Sequence, residues 1–422
     1  MSSPHILIVG AGVGGLALGQ NLKKNGISFT LFERDASPSV RAQGYRVRVA
    51  GGGAEGLREC LDDEMFNLFE NTCAESKPLT DGGRFSAMNA DSMESLFPNE
   101  FPGLPKGPGG PGQGPPEMVK MSSQKVFNKP YNVDRTMLRN VLLLGQENHV
   151  KFAKSFTYYE TTSTGVTAFF RDGTSERGTL LVGADGTFSP VRKQLLPNVR
   201  YVDTLSRVIY GKMPLTEELI ARFQPKALKW MTVIQDQSLT LFMEPVRFPK
   251  DASVVTNGRV PRIDDYAYWV LGGNAETFGL SDAEFHNLSG KDAADLTLKL
   301  TSHWDPSFKA IFELQNAAQS APLRLITAKP ERPEWTPSAN VVLMSDAIHA
   351  MMPTGGSGAN TALADASLLG RIIAEKGVSE DSIFCRPDVG ICLASDKWQC
   401  RRRKEVVGFQ GFRRYEGGDY LS

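Results

Sequence analysis

Hydrophobic and polar positions change period twice within the first thirty-three residues. Ile6–Val9 is an unbroken apolar run, the pattern of a strand buried on both faces. Leu16, Leu18 and Leu22 then fall in an apolar-periodic stretch that reads as a helix, and Gly26 closes it. A second apolar run, Phe29–Phe32, ends at Glu33. Between the first run and the helix the chain reads GAGVGG, Gly10–Gly15. The predicted order is strand, tight turn, helix, strand, acid.

Later segments continue this mixture. Gln43–Val49 (QGYRVRV) alternates like a strand with Arg46 and Arg48 on one face and Gly44 allowing close approach. It lies either beside a cofactor or half-exposed with solvated arginines. Ala54–Phe69 predicts one helix, with Leu57, Leu61, Met65 and Leu68 on its apolar face. Residues 102–116 are dominated by glycine and proline and read as a mobile surface loop, a passive insertion rather than a lid being the expectation. In Asn132–Gly145, Asp134 can cap a helix with Met137, Leu138, Val141 and Leu142 inward. Arg135 and Arg139 stand one turn apart on it, able to reach a diphosphate or ribose, or simply solvated.

Val150–Phe170 gives short strands, with a hairpin turn at Asp172-Gly173. Leu180–Val182 runs into Gly183-Ala184-Asp185-Gly186, and Arg192 follows six residues past Gly186. Asp185 could hold a ribose or a water network, and Arg192 a phosphate or an anionic substrate. Leu205–Gly273 is strand-rich, its aromatic and methionine side chains mostly core, some turned to a pocket. Ser281–Leu314 predicts helix, broken at Asp305-Pro306, with His286 and His303 lacking metal-ligand partners. Asn340–Met344 is a buried strand leading into Ser345-Asp346. His349, a glycine run over Gly355–Gly358 and a helix from about Ala359 to Ala374 follow. For His349 a packing role is expected.

The chemistry of the first turn follows from its order. Gly10 lets the chain leave the strand, Gly12 lets the backbone approach a pyrophosphate, and Gly15 lets the helix pack on the strand. The helix start offers free N–H groups and a positive dipole end. Glu33, eighteen residues beyond Gly15, can accept hydrogen bonds from a ribose. This is a dinucleotide-binding pattern; the plainer alternative is a glycine-rich turn in some other α/β protein.

Bulk properties narrow the class. With 422 residues the chain can hold two interwoven domains. Its 47 basic and 47 acidic residues cancel, which argues against nucleic acid or an anionic membrane as partner. No uncharged apolar run could span a bilayer. The motif strand begins at Ile6, leaving no room for a signal peptide. Five cysteines without C-x-x-C spacing argue against disulfides or zinc. A cytoplasmic location is the default expectation.

Three motifs now stand in order, and together they resemble those of the group A flavin-dependent monooxygenases. The likeness is to the fungal branch that decorates secondary metabolites and aromatic acids. GAGVGG with Glu33 is similar to the family's adenosine site, and LVGADGTFSPVR to its "DG" motif, which serves flavin and nicotinamide. SDAIHAMMPTGGSGANTA is similar to the motif around the flavin ribityl and pyrophosphate, and Arg135 to the helix arginine that contacts FAD.

The resemblance implies an α/β fold in which a Rossmann-like FAD-binding domain is assembled from residues 1–75, 130–190 and 335–380. A strand-rich substrate domain from 76–129 and 191–334 is inserted into it. It implies FAD as cofactor and NAD(P)H as a transient co-substrate. Molecular oxygen is split, with one atom delivered by hydroxylation or epoxidation to a hydrophobic aromatic or polycyclic small molecule. The implied cofactor residues are Gly10, Gly12, Gly15, Glu33, Gly44, Arg135, Asp185, Gly186, Asp346, Gly358 and Ala359. Arg192 and Tyr210 are the catalytic candidates, because an arginine and a tyrosine serve relatives that oxidise indole-like substrates. A dehydrogenase or reductase on the same fold, and a FAD-binding protein without turnover, are the alternatives.

Two departures stand out. The third motif of the family begins Gly-Asp, whereas this chain has Ser345-Asp346. The tail 382–422 loses helical periodicity and carries three of the five cysteines and the run Arg401–Lys404. With suitable synonymous codons a neighbouring reading frame restores family-like sequence there, so the tail reads as a frameshifted or mis-spliced ending. On that reading the basic run carries no targeting signal, and transcript sequencing tests it.

Overall fold

The computed structural model of the chain describes residues 4–37, 45–76, 86–96, 130–229, 231–329, 338–353, 356–378 and the backbone of Tyr420–Leu421. Gly44, the 102–116 segment and the tail apart from Tyr420–Leu421 lie outside the described residues.

The first layer is a parallel five-stranded sheet. It contains β1 (His5–Val9), β2 (Ser28–Phe32), β6 (Val150–Lys151), β10 (Leu180–Gly183) and β16 (Val341–Leu343), in the order β16-β10-β1-β2-β6. Every pairing in it is parallel. Its strands are apolar throughout because both faces are covered. Ile6, Ile8, Leu31, Leu180 and Val182 pack into a helical core. That core is built from α1 (Val13–Lys24), α2 (Gly52–Cys60), α3 (Asp63–Thr72), α4 (Arg135–Leu143) and the helix Gly358–Lys376. Leu7, Val9, Phe32, Leu181 and Leu343 face the other way. They meet Phe156, Val166, Ala168 and Phe170 of a small antiparallel sheet, β7 (Phe156–Thr162), β8 (Gly165–Phe170) and β9 (Ser175–Gly178).

The second sheet runs β15 (Ala321–Ala328), β11 (Tyr201–Pro214), β14 (Tyr266–Asn274), β13 (Leu239–Val246), β12 (Thr232–Gln235), β4 (Ser86–Asn89). β17 (Tyr420–Leu421) pairs with β11. All its pairings are antiparallel except β12 with β4. Alternation splits its side chains cleanly. Ile209, Met213, Leu241, Met243, Trp269 and Leu271 lie under the helices Asp282–His286, Gly290–Leu300 and Pro306–Glu313, with Phe308, Ile311 and Phe312 opposite. Burying each such aliphatic or Phe side chain contributes roughly 1.5–3 kcal/mol. The alternate residues turn toward a ribbon, β3 (Arg46–Val49) paired with β5 (Tyr131–Asp134), that projects from the first core.

Two helix boundaries differ from the sequence pattern. The helix expected over Ala54–Phe69 is two, because Leu61 is extended and Asp62 starts a new helix by accepting from the Met65 amide at 2.8 Å. The stretch from Ser281 breaks before Asp305 as well, where Ser289 and Asp292 form a capping box. Among the described residues no helix is long and apolar enough to cross a membrane, and no cluster of three His, Cys, Asp or Glu could hold a metal.

Candidate active site

Register places four strand ends side by side. Val9 pairs with both Phe32 and Gly183, and Gly183 pairs with Leu343. The turns that follow, at Gly10, Glu33, Asp185 and Asp346, therefore share the carboxyl edge of one parallel sheet, where α/β proteins bind ligands.

The first turn is fixed by its glycines. Gly10 has φ of +108°, and a Cβ there would lie 2.4 Å from the Ala184 carbonyl oxygen. A Cβ on Gly15 would lie 2.0 Å from the Gly10 carbonyl oxygen. Gly12 differs: it has ordinary extended geometry, and nothing lies within 4 Å of its missing Cβ. No side chain caps α1 at Gly12. The buried Glu33 carboxylate accepts from the Ala11 amide at 2.9 Å and from the Asp35 amide at 3.1 Å. It thereby ties β2 to the glycine turn. Arg139 donates through Nε to the Ala11 carbonyl at 3.1 Å, and the Arg135 guanidinium lies 5.0 Å from the Tyr45 ring centre.

The second turn carries Asp185, whose Oδ1 is buried without a partner among the described residues. Burial pushes its carboxyl up to about 6, against the opposing bonds from Ser189 and Val191. Gly186 follows with φ of +82°. Arg192 sits in α5 (Pro190–Leu195), buried, with its guanidinium 4.1 Å from the Tyr201 ring centre and 3.4 Å from the Thr187 carbonyl. Tyr201 Oη lies 3.2 Å from the carbonyl oxygens of Asp346 and Ala347. Burial pushes this phenol up to about 12, so it stays a donor. Arg192 and Tyr201 thus brace the second turn against the third.

In the third turn, burial raises the Asp346 carboxyl above its usual range. Ser345 adopts φ +59°, ψ −150°, a region that glycine favours and side chains resist. Its amide donates to Asp365 Oδ2 at 2.8 Å. His349 Nε2 meets the same oxygen at 2.5 Å, so it is an ion-pair partner rather than simple packing. Burial alone would lower the His349 pKa, but Asp365 outweighs it and the net shift is upward. Gly358 and Ala359 open the long helix without a side-chain cap. Asn360 pins that helix start to β3, accepting from Ala50 at 2.8 Å and donating to the Arg48 carbonyl at 2.7 Å.

These features fit a dinucleotide. There is open space at Gly12, an uncapped helix start, an unpartnered buried oxygen at Asp185, and three more turns on the same edge. Residues 4–246 and 328–380, more than half the chain, match the FAD binding domain family. The chain belongs to this FAD-binding family. A dual O-methyltransferase/FAD-dependent monooxygenase of Phaeosphaeria nodorum is 37% identical over 437 residues, covering 96% of this chain. The chain spans 44% of that relative's length. A FAD-dependent monooxygenase of Trichoderma harzianum is 27% identical over 381 residues, covering 87% of this chain and 82% of its own. Among solved structures, one described as a FAD-containing monooxygenase from Photorhabdus luminescens is 28% identical with a TM-score of 0.71, covering 96% of both chains. Klebsiella pneumoniae HpxO, complexed with FAD and uric acid, shares the fold at 18% identity, a TM-score of 0.63, and 96% and 90% coverage.

In this FAD-binding chain the open face of the second sheet looks toward the ribbon. Tyr210 is half-buried there, its ring 5.7 Å from Tyr45 at 76°. Tyr45 also lies 6.4 Å from Tyr268. Arg46 bridges Glu244 at 2.9 Å. Asp134, fully buried, accepts from the Met137 amide at 3.0 Å, from Tyr266 Oη at 2.8 Å and from Lys212 Nζ. It joins the start of α4 to the second sheet. Tyr45, Tyr201, Tyr266, Tyr268, Lys212, Glu244 and Asp365 were not singled out from sequence. The period-two alternation of IYGKM and YAYWVL would have put Tyr210, Lys212, Tyr266 and Tyr268 on a common face.

Proposed function

We propose that this chain is a FAD-dependent, NAD(P)H-consuming monooxygenase that hydroxylates or epoxidises a hydrophobic aromatic or polycyclic small molecule in fungal secondary metabolism. The observation that carries the reading is the meeting of four motif turns on one sheet edge, together with a ribbon packed against an aromatic-lined sheet. The names of the fungal relatives support it. When bound, FAD supplies the redox chemistry that takes electrons from NAD(P)H and activates oxygen. The chain's own residues bind and orient. The Gly10–Gly15 turn and α1 hold the pyrophosphate, Arg135 adds a cation, and Glu33 rigidifies the turn while it approaches the ribose. Asp185 and Gly186, with Asp346, Gly358 and Ala359, hold the ribityl chain and ring edge. Arg192 positions the second turn through Tyr201, and Tyr210 lines the substrate side. The division into residues 1–75, 130–190 and 335–380 against 76–129 and 191–334, and a cytoplasmic location, complete the proposal.

The test is substrate-stimulated NAD(P)H oxidation by the FAD-loaded protein with labelled oxygen gas, over a panel of aromatic polyketides. One labelled oxygen atom in the product supports the reading. NAD(P)H or substrate oxidation without oxygen incorporation points to a dehydrogenase or reductase. Ser345, held in a glycine-favoured conformation, favours a second reading: FAD binding without turnover. Stimulation absent across the panel would select it.

A further inference from the structure

The open face and the ribbon bring together polar groups that make no hydrogen bond among the described residues. The hydroxyls of Tyr45, Tyr210 and Tyr268 make no hydrogen bond among the described residues, although all three rings are half-buried and Tyr45 lies against each of the other two. Tyr210 and Tyr268 project from the same face of paired strands, in adjacent rows: Tyr210 opposes Val270, and Tyr268 stands between Lys212 and Glu244. Half-buried hydroxyls in such a place take partners from water or from a ligand.

The charges are as uneven. Arg46 and Arg48 are two residues apart on β3 and so share a side. Both act on Glu244. Arg46 claims that carboxylate at 2.9 Å and also donates to Asn132 at 2.8 Å. Arg48 is half-buried with no hydrogen bond or ion pair from its guanidinium among the described residues. Two guanidinium groups therefore face one carboxylate. Lys212 offers no surplus, since Asp134 holds it. Among the described residues the cleft is left with one cation more than carboxylates, beside three phenol hydroxyls without hydrogen bonds and the apolar Phe242 and Val270 of the same face.

Resting on the monooxygenase reading above, we infer that this cleft recognises an aromatic oxyanion. Arg48 supplies the counter-charge to a carboxylate or ionised phenol on the substrate, and the Tyr210 and Tyr268 hydroxyls donate to its other ring oxygens. Arg48 is then a specificity-determining residue. A neutral aromatic of equal size loses the charge-assisted bond, the stronger kind of hydrogen bond.

Calorimetric titration of the FAD-loaded protein tests this without turnover. The probes are naphthoate, lawsone (an acidic hydroxynaphthoquinone ionised at neutral pH) and uncharged naphthamide. At least one anion should bind about tenfold or more tightly than naphthamide, as one charge-assisted bond implies. Naphthoate as the tighter ligand assigns a carboxylate, and lawsone an ionised phenol. Arg48→Met should erase the preference, Arg48→Lys should keep most of it, and both should retain FAD and the wild-type unfolding midpoint. Tyr210→Phe and Tyr268→Phe should each weaken lawsone by roughly three- to tenfold. Equal binding of all three probes by wild type, or no binding, overturns the inference. So does an Arg48→Met protein that keeps the preference but loses FAD, which would give the cation to the cofactor. Preference retained without oxygen incorporation strikes the monooxygenase reading alone. Preference lost with turnover intact strikes the cleft alone.

Discussion

The carboxyl edge of the parallel sheet and the open face of the antiparallel sheet are built from different materials. At the edge most of the carboxylate and amide bonds are made within the protein: Glu33 is occupied by two backbone amides, Asp365 Oδ2 by Ser345 and His349, and Asn360 by β3, while Asp185 Oδ1 keeps no partner among the described residues. Besides that oxygen, what it leaves open there is backbone, at Gly12 and the start of α1. On the open face the backbone is consumed by strand pairing, while the hydroxyls of Tyr45, Tyr210 and Tyr268 and the guanidinium of Arg48 make no hydrogen bond among the described residues. A backbone cradle suits a fixed cofactor that every family member must hold. A side-chain lining suits a substrate that differs between members.

The join between the two regions gives the largest expected effect. Asp134→Ala would strand Lys212, Tyr266 and the first turn of α4 at once. Breaking a buried charged group of this kind costs about 3–5 kcal/mol. Urea unfolding should show that loss, and a loss below about 1 kcal/mol would mean that the two regions are not coupled through this carboxylate.

A smaller effect separates the edge by pH. Because burial raises the Asp185 pKa from 3.8 to about 6, folding favours its neutral form in the cofactor-free protein. Its contribution is full below pH 3.8 and is lost as pH rises through about 6. Asp185→Asn should therefore stabilise the cofactor-free protein by about 2–3 kcal/mol above neutrality and leave stability unchanged in acid. A pH-independent difference would contradict the assignment. Ser345→Gly should have the smallest effect. Relief of the left-handed conformation, partly offset by glycine's chain entropy, predicts about 1 kcal/mol of stabilisation in a thermal melt, with FAD held at least as tightly.

The same contrast explains what could be read in advance. Gly10, Gly15, Gly186, Asp134 as a cap and the helix at Gly358 were legible because turns and caps impose local residue choices. Tyr45, Arg48's guanidinium and Tyr268 become a site only through pairing register and the packing of β3 on strands that begin more than 150 positions further along the chain, which no local pattern encodes. Asp134 was legible as a helix cap and illegible as the partner of Lys212 and Tyr266 for the same reason. The break at Asp62 was local, yet hidden, because the apolar spacing runs on across it. Arg192 stood out by its spacing from Gly186, but its packing on Tyr201 depends on strand β11.

Gly12 allows the most direct test, since the protein itself has room for a side chain there and only a ligand needs it absent. The measurement is FAD titration of wild type and Gly12→Val, followed by flavin absorbance after desalting, with urea unfolding of both as control. Wild type should retain FAD, while Gly12→Val should unfold at the same urea concentration yet bind FAD at least about tenfold more weakly, a difference of about 1.4 kcal/mol. Equal FAD retention by both proteins, or a wild type that stays colourless, would contradict it.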